Sequence, residues 1–217
     1  MMTSRNNVAD FIDRSAIQGV SDIRVHDDLE DFVRGAQSGD ANSLAQLYDR
    51  FYDRIFRYVS FKIGNVSEAE DITEEVFLRL LKSISSFKFK GSPFSSWLFR
   101  IAHNLVVDYF RKNGRRQVQP LDDALMIPDP FSPDLDHRLD VNLLMRQVNV
   151  AMEKLTDLQK EIITLRFVGQ LSVRETAEAV GKNESAVKAL QHAGIRNLRR
   201  GMNVAQACPK GLEGQVQ

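Results

Sequence analysis

Apolar residues recur every three or four positions through most of this chain, and no stretch alternates with the period of two that a half-buried strand would need. After Asp40, a good helix cap, Leu44, Leu47, Phe51, Ile55, Tyr58, Val59 and Ile63 fall on one helical face before Gly64 ends the run. Ser67 and Glu70 have the spacing of a capping box, and Ile72, Val76, Leu80 and Ile84 follow at every fourth residue. A third helix is predicted after Phe87 and Gly91, with Pro93 suited to its first turn and Trp97, Leu98, Ile101, Leu105 and Tyr109 along one side. Its opposite side carries Arg100, Asn104, Asp108 and Arg111. The aromatic residues of this stretch therefore belong largely to a core.

The pattern breaks between Gly114 and Asp140, where Pro120, Pro128, Pro130 and Pro133 among several aspartates exclude a continuous helix. A segment this long is unusual inside one compact domain, so a boundary is placed there. Beyond it Thr156 with Gln159 opens a helix bearing Leu158, Ile162, Ile163, Leu165 and Phe167 that ends at Gly169. Ser172 with Glu175 opens a short one, VRETAEAV, that stops at Gly181, and a longer helix runs from Asn183 or Glu184 to about Arg200. The expected fold is all-α: an arm over 1–27, a helical domain over 28–113, a flexible acidic linker over 114–140, a second helical domain over 141–200 and a tail over 201–217.

Composition narrows the class without deciding it. Hydrophobic content of 43% with charged content of 27% is that of a globular chain, and no apolar run is long enough to span a membrane. Lys+Arg and Asp+Glu both number 29, so no bulk basic excess advertises nucleic acid. The charges are nonetheless segregated. Acids crowd 27–31, 68–75 and 122–140, and basic residues crowd 111–116 and 196–200, which suits a protein that shows nucleic acid two basic faces and something else the remainder. A single cysteine, Cys208, excludes an internal disulfide, and the N-terminus lacks the layout of a secretory signal, so the cytoplasm is the expected compartment.

The run LSVRETAEAVGKNESAVKAL places Ala177, Gly181 and Val187 at helix-turn-helix spacing. A small residue lets two helices approach, glycine permits the left-handed turn, and a β-branched residue locks the second helix onto the first. The second helix then offers Asn183, Glu184, Ser185 and Lys188 near its N-terminal end, continued by His192 and Arg196, where recognition helices meet bases and phosphates. Enzymatic chemistry finds little support. His26, His103, His137 and His192 are scattered, no ligand cluster has metal spacing and no glycine-rich phosphate loop occurs, so neither cofactor nor metal is expected.

Three passages together carry a family resemblance: LAQLYDRFYDRIFRYVSFKIG with EAEDITEEVFLRLLKSI, SPFSSWLFRIAHNLVVDYFRK, and LTDLQKEIITLRFVGQLSVRETAEAVGKNESAVKALQHAGIRNLRR. From about 28 to 200 the chain resembles a bacterial RNA polymerase sigma factor of the extracytoplasmic-function branch, which keeps only sigma regions 2 and 4. The resemblance implies that the first domain is region 2 and the second is region 4. It implies docking of Asp71, Glu74, Glu75, Phe77, Leu78 and Arg79 on the clamp helices of the largest catalytic subunit of core polymerase, with the flap of the second largest subunit as a further contact. Residues 87–116 would read and open the minus-ten element: a loop from Phe87 to Phe94 for a flipped base, Arg100, Asn104, Asp108 and Arg111 facing DNA, and Arg111, Lys112, Arg115 and Arg116 on the backbone. The helix 184–200 would read the minus-thirty-five element. Many relatives have arginines where this chain has Leu190, Ala193 and Ile195. Anti-sigma factors are common partners in the family, and the sequence leaves regulation by the tails or by expression open. A stand-alone helix-turn-helix regulator is the alternative that the second domain alone would allow.

Overall fold

The computed structural model describes residues 22–89, 91–113, 145 and 147–206, with side chains placed within 28–202. Every regular element among the described residues is helical. In chain order these are α1 (Asp22–Gln37), α2 (Ala41–Ile63), α3 (Val66–Ser83), a 3-10 turn (Ile84–Ser86), α4 (Phe94–Asn113), α5 (147–153), α6 (Asp157–Ile163), a π-helical stretch (Thr164–Val168), α7 (Val173–Val180) and α8 (Glu184–Gln206). The described residues fall into two compact units that divide between Asp49 and Arg50.

In the first unit α1 and the start of α2 meet through a turn at Gly39, whose φ of 88° requires glycine. Asp40 caps α2 as its sequence position suggests, its Oδ2 accepting the Ser43 amide at 2.9 Å. Val33 and Ala36 are buried.

The second unit begins within α2, where Phe51, Ile55, Tyr58 and Val59 are buried. Phe51 meets the Phe94 ring edge-on at 5.5 Å, Tyr58 meets Phe99 likewise at 5.6 Å, and Tyr52 stacks on Phe77 at 6.0 Å. Such pairs add about 0.5–1.5 kcal/mol each beyond their buried area. The cap of α3 differs from the sequence expectation. Asn65, not Ser67, takes that position, its side chain accepting the Glu68 amide at 3.0 Å. Gly64, at φ 78°, ends α2 and leaves Asn65 extended at φ −120°. Ser67 is thereby drawn into the first turn of α3.

Both expected capping boxes beyond the linker are present, Thr156 with Gln159 and Ser172 with Glu175. The helix expected to reach Gly169 is α-helical only to Ile163 and then widens: the Gly169 amide donates to the Thr164 carbonyl at 2.9 Å, five residues back. Gly181 adopts the left-handed conformation at φ 66°, and Asn183 caps α8 by accepting the Ala186 amide at 2.7 Å. Ala177, Val187 and Ile162 form one buried cluster, with Leu158, Val173, Val180 and Leu190 packed around it. The three-residue signature thus builds the expected helix-turn-helix packing.

Candidate nucleic-acid interface

Helix α8 separates a packing side from an exposed polar side. Asn183, Glu184, Ser185, Lys188, His192 and Arg196 are all exposed, with Lys188 lying 4.0 Å from the Glu184 carboxylate. The opposite side comes unusually near its neighbours. A Cβ at Gly194 would stand 3.2 Å from Ile163 Cγ1, and one at Gly201 would stand 3.0 Å from Ala151 Cβ. Leu190 packs on the Ile162 cluster and Ile195 on a second cluster formed by Ala151, Met152, Leu155, Ile163 and Leu198. Apolar residues at 190 and 195 thus serve packing, which accounts for the absence of arginine at those two positions.

Helix α4 presents Arg100, Asn104 and Arg111 as an exposed stripe, with Asp108 partly covered and bonded to Arg111 at 3.1 Å. Lys112 is exposed at the end of the helix, while Arg115 and Arg116 lie outside the described residues. Phe87 and Phe94 depart from the DNA-facing role expected of them. They are 7% and 1% exposed, and their rings pack edge-on at 5.4 Å, with Trp97 5.1 Å from Phe87 and 5.6 Å from Phe94. Burying two large rings in an aromatic cluster is worth more than leaving them in a polar loop. They shape the loop between them from beneath. Among its described residues Lys88 and Gly91 are exposed, the latter in the left-handed region at φ 78°.

On α3, Asp71, Glu74, Leu78 and Arg79 are exposed, and Glu75 pairs with Arg79 at 2.9 Å. Leu78 and Leu81 are about half exposed, at 48% and 51%, which leaves an apolar strip among charges. Phe77 is a correction to the expected docking set. It is 6% exposed and stacked on Tyr52, because it falls on the same inward face as Thr73, Val76 and Leu80.

A constellation that the sequence reading did not identify lies between α2, α4 and α6. Glu161, only 7% exposed, accepts from Tyr58 Oη at 2.7 Å and from Lys62 Nζ at 2.8 Å, and lies 3.0 Å from His103 Nδ1. Burial alone would raise its pKa, but the His103 hydrogen bond and the Lys62 charge overcome it and hold the carboxyl at about 2. The same surroundings push the Tyr58 hydroxyl well up, through burial first and the Glu161 charge second. Arg54, its guanidinium 5.2 Å from the Phe51 ring centre, donates to the Gly169 and Gln170 carbonyls at 3.1 and 3.2 Å. Ser95 donates to the Glu175 carboxylate, Ser96 to the Glu175 carbonyl at 2.9 Å, and Arg100 to the Glu178 carbonyl. The Glu175 carboxyl, which burial would raise, is lowered by the bonds from Ser95 and Ser172. One signal was available in the sequence: positions 158, 161, 162 and 165 share a helical stripe, so Glu161 interrupts an otherwise apolar face.

Beside these contacts a cleft of about 1120 Å³ opens between α4 and the 157–180 segment, with Phe99, Val107, Phe110, Leu158 and Leu165 beside Lys62 and Lys160. Among the described residues no cluster of three or more His, Cys, Asp and Glu side chains could hold a metal ion, and no helix is long and apolar enough to cross a membrane.

Comparison with known proteins returns the same two segments. The profile of sigma-70 region 2 matches residues 47–116, and that of sigma-70 region 4 matches 151–200. The ECF RNA polymerase sigma factor BldN of Streptomyces coelicolor is 36% identical over 172 residues, covering 79% of this chain and 65% of BldN. The ECF RNA polymerase sigma factor SigD of Mycobacterium tuberculosis is 31% identical over 178 residues, covering 79% of this chain and 82% of SigD. Among solved structures, CnrH in complex with the cytosolic domain of CnrY matches with a TM-score of 0.59 at 19% identity, over 82% of this chain and 97% of CnrH.

Proposed function

The chain belongs to the extracytoplasmic-function sigma factors of bacterial RNA polymerase, and on that premise we propose that it reads promoters through two separate helical faces. Exposed α8 residues Asn183, Glu184, Ser185, Lys188, His192 and Arg196 take the minus-thirty-five element in the major groove. Arg100, Asn104, Asp108, Arg111 and Lys112 of α4, continued by Arg115 and Arg116, take the minus-ten element and hold its backbone as the strands part. The loop between Phe87 and Phe94 receives an extruded base, with the two buried rings as its floor. The α3 strip of Leu78 and Leu81 amid Asp71, Glu74, Glu75 and Arg79 docks on core polymerase, where a mixed apolar and charged surface suits a partner helix.

The observation that carries this reading is the division of α8. Six polar residues are solvent-facing while Val187, Gly194, Leu198 and Gly201 are packed, so the helix is rigidly mounted with its reading side free. The protein contributes recognition and strand opening, and the catalytic chemistry of RNA synthesis belongs to core polymerase. Work on the bacterial chromosome places it in the cytoplasm. The apolar and basic cleft beside α4 suits an amphipathic helix, and an anti-sigma factor is the proposed occupant.

Transcription by purified core polymerase on sheared genomic DNA, with and without the protein, tests the assignment. New RNA 5′ ends sharing two upstream sequence blocks are expected. No new starts, together with duplex binding in the absence of core, would instead favour the stand-alone regulator.

A further inference from the structure

Gln191 of α8 follows Lys188 by three residues and Glu184 by seven, so it continues their stripe along the helix. It is half-buried, at the edge where the exposed side meets the packed one. Arg166, from the π-helical stretch after α6, donates through Nε to Gln191 Oε1 at 3.0 Å and through Nη1 to the Leu171 carbonyl. Leu171 is buried, so the guanidinium is braced against the turn that leads into α7. Burial draws the Arg166 pKa down and the Glu175 charge draws it back up, and an arginine keeps its charge in either case. Its bond to Gln191 is therefore charge-assisted, which makes it roughly twice as strong as a neutral one.

That bond decides which end of the amide faces outward. An Nε–H group only donates, so the oxygen of Gln191 is the end turned toward Arg166. Nε2, with its two N–H donors, has no partner among the described residues and is open to solvent. An unconstrained glutamine reads adenine, accepting from N6 and donating to N7. With its oxygen held back, Gln191 presents donors alone. Guanine, which offers acceptors at both O6 and N7, is the base edge that matches. Three residues further on, the close approach of Gly194 to Ile163 fixes the backbone, so a roll of the helix does not restore the other orientation.

We propose that Gln191 is a specificity-determining residue that reads guanine in the minus-thirty-five element, with Arg166 as the positioning residue that keeps its donor end outward. The proposal rests on α8 reading that element. Its test is transcription by the full-length protein with core polymerase on barcoded promoters, built from a mapped start, in which each base pair of the upstream block is varied. Wild type should favour guanine over adenine at one pair by at least about fivefold, and Gln191→Ala should abolish the preference at that pair alone. Gln191→Glu turns an acceptor outward and should move the preference to cytosine, whose N4 donates. Arg166→Leu frees the amide to accept as well as donate and should move it to adenine, whereas Arg166→Lys, which still donates to Oε1, should keep guanine. An unchanged profile in Gln191→Ala and Gln191→Glu overturns the proposal. A folded Arg166→Leu protein whose activity falls equally at every base overturns the positioning role, since packing alone would give that result. Should Arg166→Leu fail to fold, the Gln191→Glu switch decides. An absence of new starts with wild type would instead refute promoter reading itself.

Discussion

Replacing Glu161 by glutamine removes one charge from a buried site and leaves its shape. The carboxyl titrates at about 2 in the folded protein against 4.5 for an unperturbed glutamate, a difference that corresponds to roughly 3 kcal/mol of stability at neutral pH. Loss of one partner from a buried ion pair falls in the same range, about 3–5 kcal/mol, since Lys62 and His103 are left facing a neutral amide. For a protein of this size that lowers the melting midpoint by about 6–12 °C. The pH dependence has a definite sign. Because the folded pKa lies below the unfolded one, the contribution is complete above the unfolded value and fades as pH falls through 4.5 toward the folded value of about 2. By about pH 3 less than half of it should remain. Thermal melts of wild type and Glu161→Gln, followed by circular dichroism, should show a gap at neutral pH that narrows on acidification. Midpoints within about 2 °C of each other at neutral pH, or a gap that widens in acid, would refute the account of Glu161.

Lys188→Ala should weaken binding to a minus-thirty-five duplex about five- to tenfold; a log-log salt slope that falls by about one would identify a phosphate contact, and an unchanged slope a base contact. Asn104→Ala should slow promoter opening, read by permanganate footprinting of the minus-ten region, and leave duplex binding by α8 intact. Glu75→Arg faces Arg79 with a like charge and reverses the proposed docking surface, so affinity for core polymerase should fall about tenfold or more in a fluorescence titration; normal affinity would remove α3 from that role. Gly181→Ala meets no atom within 4 Å but forces alanine to φ 66°, and chemical denaturation should register a loss of about 1–2 kcal/mol.

Local signals in the sequence were sufficient for α2, α4, α7 and the start of α8, but not for α1, which begins at Asp22 inside the expected arm, nor for the end of α8, which runs to Gln206 past the expected Arg200. Asp40, Thr156, Ser172, Gly181 and Asn183 act where their chemistry places them, because a cap is decided within four residues. Asn65 displaced Ser67 because the left-handed Gly64 sets the start of α3, a backbone choice that two competing cap residues leave undetermined. The aromatic residues divided less cleanly. Trp97 and Tyr109 fall on the expected core side by period, whereas Phe99, buried in the structure, lies off that stripe, and Phe77, Phe87 and Phe94 stand near helix ends or polar runs, where only their packing partners show which way they turn. The Glu161 constellation depends on Tyr58, Lys62 and His103 from two other helices. Periodicity describes one helix at a time, so it flags a lone acid on an apolar stripe without naming what answers it.

The two glycines on the packed side of α8 bear on how promoter preference changes over evolutionary time. Gly194 and Gly201 mount the helix by near contact of its backbone with Ile163 and Ala151, so its position owes little to the exposed positions 184, 185, 188 and 192. If α8 reads the promoter as proposed, substitutions there would alter what is read at a stability cost within about half a kcal/mol. Specificity can therefore drift by single steps through folded intermediates, and a duplicated copy of this gene has an open path toward a new set of promoters.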